Sequence, residues 1–184
     1  MYITIFGGSS PKPEDQAYKD AEKLGAMLAS DGHAVLTGGY IGIMEAVSKG
    51  ASKANGHVIG VTCEEIESWR PVKVNEWVME EKKFPTLHER MLSLINECDI
   101  AIAVPGGVGT LTEVMLMWNR MLIRSINEKP LILIGNEWHE IIKKFIEMQN
   151  IYMKKSDKML LSFVKDIESA VDLINKYSKS TKYS

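Results

Sequence analysis

At 184 residues and 20.6 kDa the chain suits one compact domain and excludes two large ones. Hydrophobic residues at 45% and charged residues at 25% match an average globular protein, which sets aside wholesale disorder, collagen and coiled coil. With 22 Lys and Arg against 24 Asp and Glu the net charge is −2, so there is no general attraction for polyanions and nucleic-acid binding is not expected.

Tyr2 to Phe6 is the first predicted strand, closed at once by Gly7-Gly8-Ser9-Ser10. No basic leader or long apolar stretch precedes it, so neither export nor a membrane span is expected. Only Cys63 and Cys98 are present, far apart and each inside a patterned segment. That usage argues against a disulfide framework or a Cys-based zinc site and fits a reducing, cytoplasmic compartment. A helix from about Glu14 carries Ala17, Ala21, Leu24 and Leu28 on one face and ends at Gly32. His33 to Leu36 is strand two. It breaks at Thr37-Gly38-Gly39 and leads into a helix whose small face is Ile43, Ala46, Val47, Gly50, Ala51 and Ala54.

His57 to Val61 is strand three, after which Thr62 to Glu81 reads irregularly, with Pro71 and a short strand at Glu76 to Met79. Pro85 opens a helix with Leu87, Met91, Leu94, Ile95 and Cys98 on one stripe. Asp99 to Val104 is nearly all apolar, as a central strand buried on both faces must be. It ends at Pro105-Gly106-Gly107-Val108-Gly109-Thr110, and a helix with Leu111, Val114, Met115, Trp118, Met121 and Leu122 at helical spacing follows. A strand at Pro130 to Ile134, a helix at Glu137 to Gln149, a strand around Met159 to Val164 and a helix at Asp166 to Tyr177 complete the pattern. The fold class is therefore α/β. Residues 1–177 form a single-domain, Rossmann-like, doubly wound parallel sheet with helices on both faces, and 178–184 form a polar, frayed tail.

In such a sheet, ligands bind beyond the carboxyl ends of the strands where the strand order reverses. Here that point falls between Tyr2 to Phe6 and Asp99 to Val104, both followed by glycine-rich turns, with a third turn at Thr37 to Gly42 beside them. Glycine lets backbone N–H groups converge on one oxyanion, and the helix N-termini after Gly42 and Gly109 add unpaired donors. Gly8, Ser9, Gly38, Gly39, Gly106, Gly107, Val108, Gly109 and Thr110 are thus candidates to hold a phosphate; tight strand-to-helix turns are the plainer explanation for the same glycines. There is no P-loop sequence. Neither G-x-G-x-x-G nor an acid after strand two is present, which disfavours NAD. His33, His57, His88 and His139 show no metal-ligand spacing.

Two charged residues interrupt apolar stripes. Glu113 lies one turn into the helix beside the expected phosphate, where Thr110-Leu111-Thr112-Glu113 also reads as a capping box. Arg90 shares the face of Leu87 and Leu94, and a snorkelling side chain is its simplest account. Set together beside an anion cradle, a carboxylate and a guanidinium suit cleavage of a glycosidic bond. Met44 and other methionines can line an adaptable base pocket or simply pack the core.

Pro105-Gly106-Gly107-Val108-Gly109-Thr110-Leu111-Thr112-Glu113 resembles the P-G-G-x-G-T-x-x-E signature of the LOG (Lonely Guy) family, the cytokinin-activating phosphoribohydrolases. His88-Glu89-Arg90 resembles its H-E-R-K motif, and Gly7 to Ser10 and Gly38 to Met44 its first two glycine turns. The resemblance implies a homodimer or larger homo-oligomer that hydrolyses a nucleoside 5′-monophosphate, AMP or an N6-modified AMP, to free base and ribose 5-phosphate. It places the 5′-phosphate at Gly106 to Thr110 and the chemistry at Arg90 and Glu113, with no cofactor or metal. Met91 stands in place of the motif's lysine, Tyr40 and Glu45 in place of glycines, and Thr112 in place of an acid. The alternative is a non-catalytic nucleotide- or cofactor-binding protein, such as the related molybdenum cofactor carriers. A pyridoxal-phosphate decarboxylase lacks its Schiff-base lysine in these loops.

Overall fold

The computed structural model describes residues 1–181. Seven parallel strands run through it: β1 (Tyr2–Phe6), β2 (Ala34–Thr37), β3 (Val58–Cys63), β4 (Glu80–Phe84), β5 (Ile100–Ala103), β6 (Leu131–Ile134) and β7 (Leu161–Val164). They form one sheet in the order β4-β3-β2-β1-β5-β6-β7, with β1 and β5 as central neighbours (Ile3 opposite Ile100, Phe6 opposite Ala103). The order reverses between them, as the sequence leads one to expect, and this is the doubly wound α/β architecture.

The helices are α1 (Gln16–Ser30), α2 (Ile43–Lys53), α3 (Glu64–Trp69), α4 (Leu87–Asn96), α5 (Val108–Leu122), α6 (Asn136–Met148), α7 (Lys155–Lys158) and α8 (Ile167–Thr181). The first, second and eighth cover one face, where Leu24, Leu28, Val47 and Ile174 pack on Ile3, Val35 and Ile102. The fourth, fifth and sixth cover the other, where Leu94, Val114, Met117 and Ile142 pack on Phe6, Leu36 and Leu133. Side chains alternate faces along each strand, so the unbroken apolar runs of β5 and β6, and that of β1 interrupted only by Thr4, whose hydroxyl donates to the Leu94 carbonyl, are what two covered faces require.

The strand expected at Glu76 to Met79 lies instead at Glu80–Phe84, where Ile59 opposes Glu80 and Cys63 opposes Phe84. Its sequence, EEKKF, conceals it because this edge strand is held by polar partners rather than an apolar face: His57 to Glu80 at 3.0 Å, Lys82 to Glu97 at 2.6 Å, and Thr62 to Glu81 at 2.6 Å. Charged residues on an exposed edge also discourage pairing with another chain. Helix α3 falls inside the stretch expected to be irregular. Helix α8 runs four residues past the expected Tyr177, through 178–181 of the expected frayed tail, while 182–184 lie outside the described residues. No described helix is long and apolar enough to cross a membrane.

Candidate active site

The cleft sits at the carboxyl ends of β3, β2, β1 and β5 and has a volume of about 500 Å³. At one end are Gly8 and Ser9, which follow β1, and Gly107 to Thr110, which open α5. Gly107 occupies the N-cap and supplies no side-chain cap. The N–H groups of Val108, Gly109 and Thr110 have no acceptor among the described residues, and residues 106–109 are exposed. Three free donors at the positive end of a 15-residue helix are chemically suited to an anion. Gly42 sets the companion turn: its φ is +73°, and a Cβ there would lie 2.6 Å from the Ser9 carbonyl carbon. That close approach lets the Ile43 N–H donate to the Gly8 carbonyl at 3.0 Å, fixing the first glycine turn against α2.

Arg90 enters from α4 and is only 5% exposed. The helix is placed by a capping box, in which Thr86 accepts from the Glu89 N–H and Glu89 accepts from the Thr86 N–H. Nε of Arg90 donates to the Val61 carbonyl at 2.7 Å, and Nη2 donates to the Gly38 carbonyl at 3.2 Å and approaches Met44 Sδ at 3.9 Å. Its guanidinium also lies over the Tyr40 ring, 5.6 Å from the centroid. A buried charge needs such a set of partners. Gly38 is the residue that permits it, since a Cβ at that position would stand 1.9 Å from Nη2.

Nη1 is 3.7 Å from Oε1 of Glu113, whose side chain is 12% exposed at the cleft wall. Burial raises the Glu113 pKa from 4.5 to about 7, and the opposing pull of Arg90 only partly offsets it. The expected capping role does not apply. Helix α5 begins at Val108, so Thr110 is inside its first turn, and Glu113 caps nothing. What remains is a carboxyl group that exchanges a proton near neutral pH, one helical turn from the free amides.

Of the residues singled out from sequence, Gly8, Ser9, Met44, Arg90, Gly107, Val108, Gly109, Thr110 and Glu113 line this one cleft. Gly38, Gly39 and Gly106 are not among its lining residues. The second glycine turn buttresses the site from behind: the Gly38 carbonyl holds Arg90, the Gly39 N–H donates to Thr37 Oγ1, and the Gly39 carbonyl accepts from Asn75. Tyr40 is fully buried, its hydroxyl accepting from the Cys63 N–H at 2.8 Å and donating to the Cys63 carbonyl at 3.0 Å. His88 is exposed on α4. Met91, one of the methionines expected to line a base pocket or pack the core, stands in the far wall of the cleft, but sequence reasoning missed the rest of that wall, Ile66, Trp69, Arg70 and Leu87. Cys63-Glu64-Glu65-Ile66-Glu67-Ser68-Trp69, ended by Arg70-Pro71, carried an acidic first turn and a proline stop that would have disclosed α3.

Fold and site together define a Rossmann-like protein whose cleft at the topological switch point is lined by unpaired helix amides, an acid and an arginine. Residues 1–161 match the SLOG cluster4 family, and the chain belongs to that family. It is similar to the probable cytokinin riboside 5′-monophosphate phosphoribohydrolase LOGL5 of Oryza sativa subsp. japonica, at 30% identity over 79% of this chain but only 58% of that protein. It is also similar to the cytokinin riboside 5′-monophosphate phosphoribohydrolase LOG1 of Arabidopsis thaliana, at 33% identity over 79% of this chain and 68% of that one. Among solved structures, the molybdenum cofactor binding protein of Rippkaea orientalis superposes with a TM-score of 0.74, at 27% identity and 96% coverage of both chains.

Proposed function

We propose that this protein hydrolyses the N-glycosidic bond of a nucleoside 5′-monophosphate, AMP or an N6-modified AMP, to give the free base and ribose 5-phosphate. The observation that carries the reading is the placement of Glu113, buried beside Arg90 and one turn from three unpaired amides. The 5′-phosphate is held by the N–H groups of Val108, Gly109 and Thr110 and by the turn at Gly8 and Ser9. This leaves the ribose over Arg90 and Glu113. The C1′–N bond breaks with its electron pair leaving on the base, and the positive charge that develops on the pentose is met by the Glu113 carboxylate. A water oxygen then bonds to C1′, Glu113 accepts the proton that this water loses, and that proton passes on to the departing base, which restores the carboxylate. Arg90 holds the carboxylate in place and donates to the sugar.

The names borne by the plant relatives support this chemistry. The far wall adds support through Ile66, Leu87 and Met91, an apolar surface suited to a base or to an alkyl group on it. The likeness to the Rippkaea orientalis protein favours a second reading, a carrier that binds its cofactor without turnover. Incubation with AMP and N6-isopentenyl-AMP, with released base and ribose 5-phosphate assayed, separates the two. Hydrolysis that is lost in Glu113→Gln and Arg90→Ala supports the enzyme, whereas tight binding without product from any nucleotide supports the carrier.

We further infer a homo-oligomer, at least a dimer, whose contact is the apolar surface of Met115, Trp118, Leu122, Phe145, Tyr152 and Met153. The scheme calls on no cofactor or metal. Two unbridged cysteines suit a reducing cytoplasm.

A further inference from the structure

Two buried side-chain nitrogens lack a hydrogen-bond partner among the described residues, Nε2 of His33 and Nε of Arg70, and only Arg70 lies in the cleft wall. The backbone places it there. Pro71 disfavours helical geometry at the residue before it, so α3 stops at Trp69 and Arg70 is extended, with φ −136° and ψ 129°. The segment is pinned on both sides: the Arg70 N–H donates to the Ile66 carbonyl at 2.9 Å, and Asn75 Nδ2 donates to the carbonyls of Gly39 at 3.0 Å and Tyr40 at 2.9 Å. The guanidinium carbon is 5.7 Å from the ring centroid of Trp69, which is 80% exposed at the lip of the cleft. An orphaned charge-bearing donor on a fixed backbone beside an exposed aromatic ring is a costly arrangement for the protein alone.

Its position says what would answer it. Arg70 ends α3, the helix that follows β3, and β3 lies three strand spacings, roughly 14 Å across the sheet, from β5, whose following turn carries the amides of α5. On the nucleotide reading of the cleft the phosphate sits at the amides, and the ribose lies between them and Arg70. We propose that Arg70 reads the base: its Nε–H donates to an in-plane ring nitrogen of a purine stacked against Trp69, which rests on the reading of the cleft as a nucleoside monophosphate site. Arginine offers donors only, so it selects an edge that accepts, and an aromatic face stacks on any base.

Calorimetric titration of the Glu113→Gln protein with AMP and its 1-deaza, 3-deaza and 7-deaza analogues tests this without turnover. One of the three analogues should bind about tenfold more weakly than AMP, the loss of one charge-assisted hydrogen bond. Adding Arg70→Met should weaken AMP by the same factor and erase the penalty for that analogue. Arg70→Lys, which keeps the charge but not the fork, should recover part of the affinity and controls for folding. Equal binding of all three analogues, or a penalty that survives Arg70→Met, overturns the assignment, as does a failure of AMP to bind. Should the wild type release no base from any nucleotide while the deaza penalty still vanishes with Arg70, the hydrolase reading falls and the base-reading role stands.

Discussion

Replacing Glu113 by Gln should make the protein more stable at pH 8 while leaving it nearly unchanged in acid. In the unfolded chain this carboxyl ionises at its ordinary value of 4.5, and in the folded protein burial holds it protonated up to about 7. Between those values the folded state binds the extra proton, so stability falls as pH rises through the window and is level above it. A shift of that size corresponds to about 3 kcal/mol in full, of which roughly 2–3 kcal/mol develops between pH 5 and pH 8. Glutamine copies the shape of the neutral acid and has nothing to ionise. Arg90 stays charged throughout, so its other contacts cancel in the comparison. Thermal unfolding of both proteins at matched pH should therefore show a gap that widens by roughly 5–10 °C from pH 5 to pH 8, Gln above Glu. A gap that stays constant across that range would refute the claim that this carboxyl is desolvated, and with it the argument for a proton-exchanging group in the cleft.

The rate of base release should climb with pH and level off above about 7, as the Glu113 carboxylate forms; a profile that instead falls through that range would show that the acting form is the protonated one. Gly38→Ala places a methyl 1.9 Å from Nη2 of Arg90 and should lower kcat about a hundredfold through displacement of that side chain, with circular dichroism still native. Unimpaired kcat in that variant would show that the guanidinium position is immaterial. Phe145→Glu puts a charge on a half-exposed ring that packs edge-on to Trp118 at 6.4 Å. Light scattering should then report a smaller particle than the wild type, and an unchanged mass would move the subunit contact elsewhere.

Much of this architecture is legible in the residues. Strands β1, β5 and β6 read plainly because both faces are buried, and the reversal between Tyr2–Phe6 and Ile100–Ala103 follows from the two glycine turns that close them. The glycine motif at Pro105 to Thr110 and the pair Arg90 and Glu113 likewise come together in the folded chain. What escaped is instructive. Strand β4 is written in glutamates and lysines, because an edge strand can be stabilised by ion pairs that no periodicity displays, here Lys82 with Glu80 in the strand and with Glu97 at the end of α4. Gly38 and Gly39 were grouped with the anion cradle because glycine spacing cannot distinguish an amide aimed at a ligand from a carbonyl aimed at Arg90. Thr110 to Glu113 matches a helix cap in spelling, and only the start of α5 at Val108 frees the acid from that duty. Trp69 and Arg70 fall in a stretch with too few apolar residues to announce a wall of the cleft.

The two shortest hydrogen bonds that hold Arg90 go to the peptide oxygens of Val61 and Gly38, not to side chains. Neighbouring positions can therefore vary in chemical character while the guanidinium keeps its aim, provided the chain trace is preserved and position 38 carries only hydrogen. In the proposed hydrolase, new base preferences can then be tried along the α3 and α4 border while the pair Arg90 and Glu113 stays as it is.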